Sequence, residues 1–508
     1  MNRTGRINAL CWVAAFAASL SACATGPRIP VCTGVAEQPT FVSDPSIQPP
    51  DAELSADQQQ RYAARTDELH AKAIYHDIVL HPRQTLAGSV PDRPDTRALD
   101  VAAPIFLVGI EKPRRNAPAH VNQRCEGRDF NVAPLDTSIR DSICKVMIQG
   151  RPMLLTHVVA IDGVRGGRYG DARFLYNAYD EPIAPRSRNT KGDETLYENG
   201  LRALGTLATE LDDALRSGRI TDIVVLSTGW NTPQRETLYN TMDWMASIQH
   251  ARAPTDAKPF RPLYITVSWQ SSWEWKLWKL THASVVTKGN DADELGLTWV
   301  NRLVQDAVIP VAARHQTPVT LVGHSYGTRV VGTALYLSDI IRRPRPASYP
   351  PIAFAGLQAA FPINRYGEQK GKEPWFANRD PHAMVLLSSS ANDTATSSLP
   401  IGVLVGGGHS PERVLNDRDG NLKVFGCEVL EADAEGRITE PSRLTLGGPH
   451  LVKSDAFINC EMPGTGGGAH SDVFDRGAGA FIVSAMDARA AAIESEQAPR
   501  ACTTSGFR

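Results

Sequence analysis

Ser325 lies between two glycines in Gly323-His324-Ser325-Tyr326-Gly327, and this is the stretch whose residue types and spacing most directly suggest chemistry. G-x-S-x-G is the spacing of a nucleophile elbow, a tight turn between strand and helix that holds a serine in a strained backbone conformation with its hydroxyl exposed. Glycine two residues before and two after the serine has a steric reason, since a side chain at either place would collide across so sharp a turn. A serine hydroxyl is a weak nucleophile at neutral pH. It needs a general base within hydrogen-bond reach and N–H donors aimed at the oxyanion that forms on attack. The backbone N–H of Tyr326, near the start of the following helix, would point where such an anion can form.

The elements that must position this serine can be read on both sides of it. Val319 to Val322 is a buried strand and Thr328 to Leu337 a helix, which is the context the elbow requires. Upstream, Leu196 to Leu215 carries apolar residues at helical spacing and ends just before Gly218. The strand Ile223 to Leu226 runs into Ser227-Thr228-Gly229-Trp230-Asn231-Thr232-Pro233, where Thr232 and Pro233 suit the N-cap and first position of another helix. Leu263 to Trp269 is the next strand, and Leu295 to Val311 an amphipathic helix. Ile352 to Leu357 and Met384 to Ser388 follow as strands. Such alternation calls for a mostly parallel sheet with helices on both faces. Trp269, Trp273, Trp275 and Trp278 fall within ten residues. They fit core packing under a cap, with an acyl-pocket rim or a lipid-facing patch as the functional alternatives.

With its strand and helix, the elbow resembles that of the α/β-hydrolase family. The loop Thr228-Gly229-Trp230-Asn231 is similar to the His-Gly-Tyr-Asn or His-Gly-Trp-Asn loop of a bacterial esterase-like subgroup, with Thr228 in place of the histidine. The resemblance implies an α/β-hydrolase fold and gives Trp230 a role, its backbone N–H joining that of Tyr326 in holding the oxyanion. It implies a triad acid on the loop after a late strand, where Ser390-Ala391-Asn392-Asp393-Thr394-Ala395 is close to the subgroup's pattern, and so points to Asp393. It also implies the order serine, acid, histidine, which leaves His409, His450 and His470 as bases. His470 precedes the stretch Val473 to Ala492 that can form the final helix, and is preferred; His409 is the main rival. The implied activity is hydrolysis of carboxylic esters through an acyl-enzyme, with no cofactor or metal. A non-catalytic envelope lipoprotein that uses the same scaffold for binding is the alternative.

The N-terminus carries its own signal. Arg3 and Arg6 precede the apolar stretch Ile7 to Leu20, shorter than a comfortable membrane span and suited to a signal peptide. Leu20-Ser21-Ala22-Cys23 resembles a bacterial lipobox, which implies acylation of Cys23 and attachment to the cell envelope, with Ala24 favouring the outer membrane. The expected organisation is a signal peptide over 1–22, a tether over 23–50, an N-terminal accessory region over 51–192, and a hydrolase domain over 193–495 containing an insertion at 398–468. The accessory region has β-rich pieces at Ile105 to Ile110 and Met153 to Ile161, the second either an early strand of the hydrolase sheet or part of an accessory subdomain. A net charge of -2 in 508 residues, with no basic run, excludes an electrostatic footprint for nucleic acid. Beyond Cys11 and Cys23, six cysteines remain, an even number that suggests disulfides in an exported chain. Proximity in sequence makes Cys125 with Cys144 and Cys427 with Cys460 the simplest pairs.

Overall fold

Strands that are apolar at every position, not at alternate ones, must be covered on both faces, and this chain is built around them. The computed structural model describes residues 29–33, 54–69, 77–89, 94–112, 153–181, 191–252, 259–271, 284–337, 349–360, 365, 383–397, 429–447, 449–463 and 467–494. The strands are β1 (Ile105–Glu111), β2 (Leu154–Ile161), β3 (Val164–Arg165), β4 (Arg168–Tyr169), β5 (Ala172–Asn177), β6 (Asp222–Ser227), β7 (Pro262–Trp269), β8 (Val319–His324), β9 (Ile352–Leu357), β10 (Ala383–Ser389), β11 (Val429–Glu431) and β12 (Pro449–Lys453). Ten of them form one sheet in the order β11-β12-β10-β9-β8-β6-β7-β1-β2-β5, while β3 and β4 make a separate hairpin. From β11 to β1 every pairing is parallel. Strand β2 runs against β1 and β5 on either side. The fold is therefore mixed α/β with a large, mostly parallel central sheet.

Helices cover both faces. The principal ones are α1 (Lys191–Arg216), α2 (Gln234–Arg252), α3 (Ser284–Leu297), α4 (Tyr326–Tyr336) and α5 (Arg476–Glu494). Arg489 of α5 donates to Thr320 Oγ1 at 3.3 Å, whereas Gly332 of α4 lies over the Phe354 ring. Thr320 is paired with Ala353, and Phe354 with Leu321, one step along. Neighbouring residues of a strand point to opposite faces, so α4 and α5 lie on opposite sides of the sheet. Helices α3 and α4 meet closely, because a Cβ added at Gly296 would come within 2.6 Å of the Val330 carbonyl. On the other face, a Cβ at Gly479 of α5 would meet Ser247 of α2 at 2.3 Å.

Two expected boundaries differ from what is observed. The region 51–192 is not set apart from the sheet, since β1, β2 and β5 all come from it and β1 pairs with β7 from Ile105↔Tyr264 to Ile110↔Trp269. Likewise, the stretch expected as an insertion supplies β11 and β12, and β12 pairs with β10. The helix expected over Leu295 to Val311 is also interrupted. Thr298 leaves helical geometry, and Leu303–Val308 is a π-helical turn ahead of Pro310, which has no N–H to continue the regular ladder.

Disulfide pairing departs from the proximity guess as well: Cys460 is bonded to Cys32, at a sequence separation of 428. Cys11, Cys23, Cys125, Cys144, Cys427 and Cys502 lie outside the described residues, as do the signal peptide and most of the tether. Among the described residues no helix is long and apolar enough to cross a membrane.

Candidate active site

Parallel strands bring all their carboxyl ends to one edge of the sheet, and loops leaving that edge converge. Strand β8 delivers Ser325, β6 delivers Gly229 and Trp230, β10 delivers Asp393, and β12 leads toward His470. Ser325 has φ 53 and ψ -122, a backbone conformation rare for any residue but glycine. Surrounding backbone bonds hold it there. Its N–H donates to the Leu357 carbonyl at 3.0 Å, and its own carbonyl accepts from Thr328 at 3.1 Å and Ala360 at 3.2 Å. Gly323 and Gly327 meet their steric expectation: a Cβ at the first would lie 2.4 Å from the Thr328 backbone, and at the second 2.0 Å from the Ser227 carbonyl oxygen.

The β6 loop touches the serine directly. A Cβ on Gly229 would sit 2.7 Å from Ser325 Cβ and 3.2 Å from its Oγ, so only glycine lets this loop approach. The loop is pinned from behind by Trp269, whose indole N–H donates to the Thr228 carbonyl at 3.2 Å, and by Ser271, whose Oγ accepts the Thr232 N–H at 2.8 Å. Trp269 is thus core packing; Trp273, Trp275 and Trp278 fall outside the described residues. Trp230 follows Gly229, and Tyr326 follows Ser325 at the head of α4. The Tyr326 side chain turns away into the core, where burial above all pushes its phenol up to about 12. Nearby, Asp293 of α3 is gripped by the guanidiniums of Arg329 and Arg365, Arg329 Nε at 2.7 Å and Arg365 Nη1 at 2.7 Å from Oδ1. Burial alone raises the Asp293 carboxyl, but the two cations outweigh it and hold it below the usual carboxylate range.

Asp393 and His470 meet. Asp393 Oδ2 lies 2.8 Å from His470 Nδ1, while Asp393 Oδ1 accepts the Ala395 N–H at 3.0 Å. The aspartate is fully buried and the histidine side chain keeps 14% exposure, so the carboxylate is sheltered and the imidazole has an open side. With Nδ1–H donating to the carboxylate, the neutral imidazole presents Nε2 as its basic atom. The two loops are laced together by an antiparallel bridge between Asp393 and Gly468, by Ala469 N–H to Asn392 O at 2.9 Å, and by Thr394 N–H to Gly467 O at 3.0 Å. Gly467 and Gly468 both have positive φ, which this approach requires. Trp244 of α2 fixes the far end of the loop by donating to the Val473 carbonyl at 2.7 Å.

Ser325 and His470 are neighbours through His324. The His324 and His470 rings are 4.9 Å apart, and His324 Nε2–H donates to the His470 carbonyl at 2.9 Å. Among the described residues no hydrogen bond reaches Ser325 Oγ, so no serine–imidazole hydrogen bond is formed here. Burial holds the His324 imidazole well below its ordinary range, and His470 beside it pushes the same way, so His324 stays neutral. Of the rival bases, His450 is within β12 with Nε2 turned to the Thr445 backbone, and His409 lies outside the described residues.

Sequence reasoning missed three supports. His324 was visible inside the elbow but without a role. Gln358 also has positive φ, and it ties β9 to the acid loop by accepting the Ser390 N–H at 3.1 Å on its side-chain oxygen. Asp472 accepts the Asn459 and Cys460 N–H groups at 3.0 and 3.1 Å beside the disulfide. Cys32, Cys460 and Asp472 cluster like metal ligands, but the sulfurs are bonded to each other and offer no thiolate. A cavity of about 420 Å³, lined by Pro104, Ile220 and Pro262 among others, lies at the opposite edge, where β1 and β7 begin, away from this chemistry. Comparison with known proteins found no matching family model, no similar curated protein and no similar solved structure.

Proposed function

We propose that the protein is a serine hydrolase of the α/β-hydrolase type that cleaves carboxylic esters. The observation that carries this reading is the Asp393–His470 pair at 2.8 Å, whose imidazole packs against the ring of His324, the residue next to a serine held at positive φ. The parallel sheet, with its antiparallel β2 and its nucleophile strand among the central ones, supports the fold assignment. In the proposed reaction His470 Nε2 takes the Ser325 proton as Oγ attacks the acyl carbonyl. Asp393 fixes the tautomer and stabilises the imidazolium, and the amides of Trp230 and Tyr326 receive the oxyanion. His470 then returns the proton to the leaving alcohol, and water repeats the sequence to release the acid.

Attachment to the bacterial envelope, at the outer membrane, through an acylated Cys23 belongs to the same reading. Cys32 follows Cys23 by nine residues, a reach of roughly 30 Å at full extension, so the site would face substrates at or near the lipid surface. The test is labelling of the full chain with a fluorophosphonate, together with turnover of p-nitrophenyl esters. Wild type should label and Ser325→Ala, still folded, should not. The open Ser325–His470 contact is what favours the second reading, a binding protein on this scaffold; a wild type that takes no label and turns over no ester decides for it.

A further inference from the structure

The base loop is tied to a piece of chain from the other end of the sequence. Residues 29–33 lie against the segment that precedes His470: Cys32 N–H donates to Glu461 O at 3.0 Å, Glu461 N–H to Pro30 O at 2.8 Å, and Val31 bridges Glu461. The Cys32–Cys460 disulfide closes this contact covalently. From Cys460 the connection to the base is short. The backbone N–H of Cys460 donates to the buried Asp472 carboxylate at 3.1 Å, and Asp472 is two residues beyond His470, its own N–H bonded to Ala469 O at 3.1 Å. On the near side Ile29 packs over Gly468, the residue that bridges Asp393; a Cβ there would lie 2.7 Å from Ile29 Cδ1. The strap therefore grips the loop on both sides of the imidazole.

We infer that the Cys32–Cys460 disulfide, acting through Asp472, is a positioning bond for His470, so that the acid–base pair is held for chemistry only in the oxidised chain. The inference rests on the hydrolase reading for its catalytic consequence, but the positioning itself does not. Forming the bond joins the two sulfurs with loss of two protons and two electrons to a partner disulfide, which becomes two thiols. Dithiothreitol reverses it by exchange, closing to its own cyclic disulfide. A chain still in a reducing compartment would carry the triad residues without their alignment.

Hydrogen exchange of the full-length protein, read by mass spectrometry over 467–472 and over β8, separates the possibilities. Reduction should raise exchange at 467–472 by roughly tenfold or more and leave β8 protected. The Cys32→Ser/Cys460→Ser variant should match the reduced chain there and not respond to dithiothreitol, which removes other disulfides from the interpretation. On a p-nitrophenyl ester, kcat should fall by roughly tenfold or more, toward the ~10²-fold cost of a misplacement of about 1 Å. KM should stay within about twofold, because only the transition state needs the aligned base. Unchanged exchange at 467–472 in reduced and variant chains overturns the inference. So does loss of protection in β8 together with the loop, which would make the bond a general staple. A wild type that never labels or turns over sinks the hydrolase reading alone, since exchange still decides the positioning.

Discussion

A carboxylate beside an imidazole serves catalysis by choosing which ring nitrogen is left to accept a proton. Asp393 is fully buried, with one oxygen on His470 Nδ1 and the other on a backbone amide, which suits it to that task in the proposed reaction. Asp393→Asn keeps the shape but offers Nδ1 an N–H where it had an acceptor, which favours the wrong tautomer. Its kcat on an ester should drop by roughly 10³- to 10⁴-fold with stability nearly intact, and a drop under about tenfold would remove Asp393 from the mechanism. His324 makes a second residue-scale prediction. Because burial depresses its folded-state pKa, its contribution to stability is fully present above about 6.5 and is lost as pH falls, the unfolded chain binding the proton first. Wild type should therefore lose stability below that pH at up to ~1.4 kcal/mol per unit from this group, and His324→Asn should show a shallower slope. Urea midpoints at several pH values measure it; parallel slopes would mean that His324 does not titrate with folding. The roles proposed for Ser325, Asp393 and His470 could be approached from sequence because motif and chain order restrict them. His324 could not, since only the fold shows its ring against His470.

At the scale of elements, the sequence spoke clearly where periodicity is strong and segments are long. Strands β6 to β10 and helices α1, α4 and α5 lie within a few residues of their expected positions, because uninterrupted apolar runs between glycine turns admit few other readings. Short β11, of three residues, and β12, of five, gave no comparable pattern. Nor does a disulfide between residues 32 and 460 leave any local trace, since its partners meet only once the sheet has formed. Helix α4, which follows Ser325, is held by charge as well as packing. Arg329 of α4 and Arg365 converge on Asp293 of α3, all three buried. Asp293→Ala would leave two guanidiniums without their shared anion and should cost about 3–5 kcal/mol, whereas removing the exposed Arg173 partner of Glu210 should cost ~0–1 kcal/mol. Urea unfolding of the two variants makes the comparison, and equal small losses would show that the buried cluster does not secure α4.

For the whole molecule, the question is whether an independently folding unit begins at residue 193, the expected domain boundary, or whether the earlier chain belongs to it. Pairing answers physically. Without residues 105–177, β7 loses its neighbour along six register pairs from Tyr264 to Trp269 and becomes an exposed apolar edge. Every residue of β1 and β2 is buried, so the faces that cover them lose their partners too. Polar ties are cut at the same time. Trp299 donates to Met153 O at 2.7 Å, Glu294 accepts the Met153 N–H at 3.0 Å, and Gln234, just past the loop of Gly229 and Trp230, meets the buried His157 ring at 2.6 Å. Each such group, left buried and unmatched, costs about 1–3 kcal/mol, and a few of them approach the whole ~5–15 kcal/mol stability of a typical domain. A chain starting at 193 should therefore be insoluble or collapse to a dye-binding state without near-ultraviolet circular dichroism, and should take no fluorophosphonate label under conditions where the full chain does. If it instead runs as a compact monomer and labels at Ser325 at the full-length rate, the earlier strands are an appendage, and the sheet as a single cooperative unit is the wrong picture.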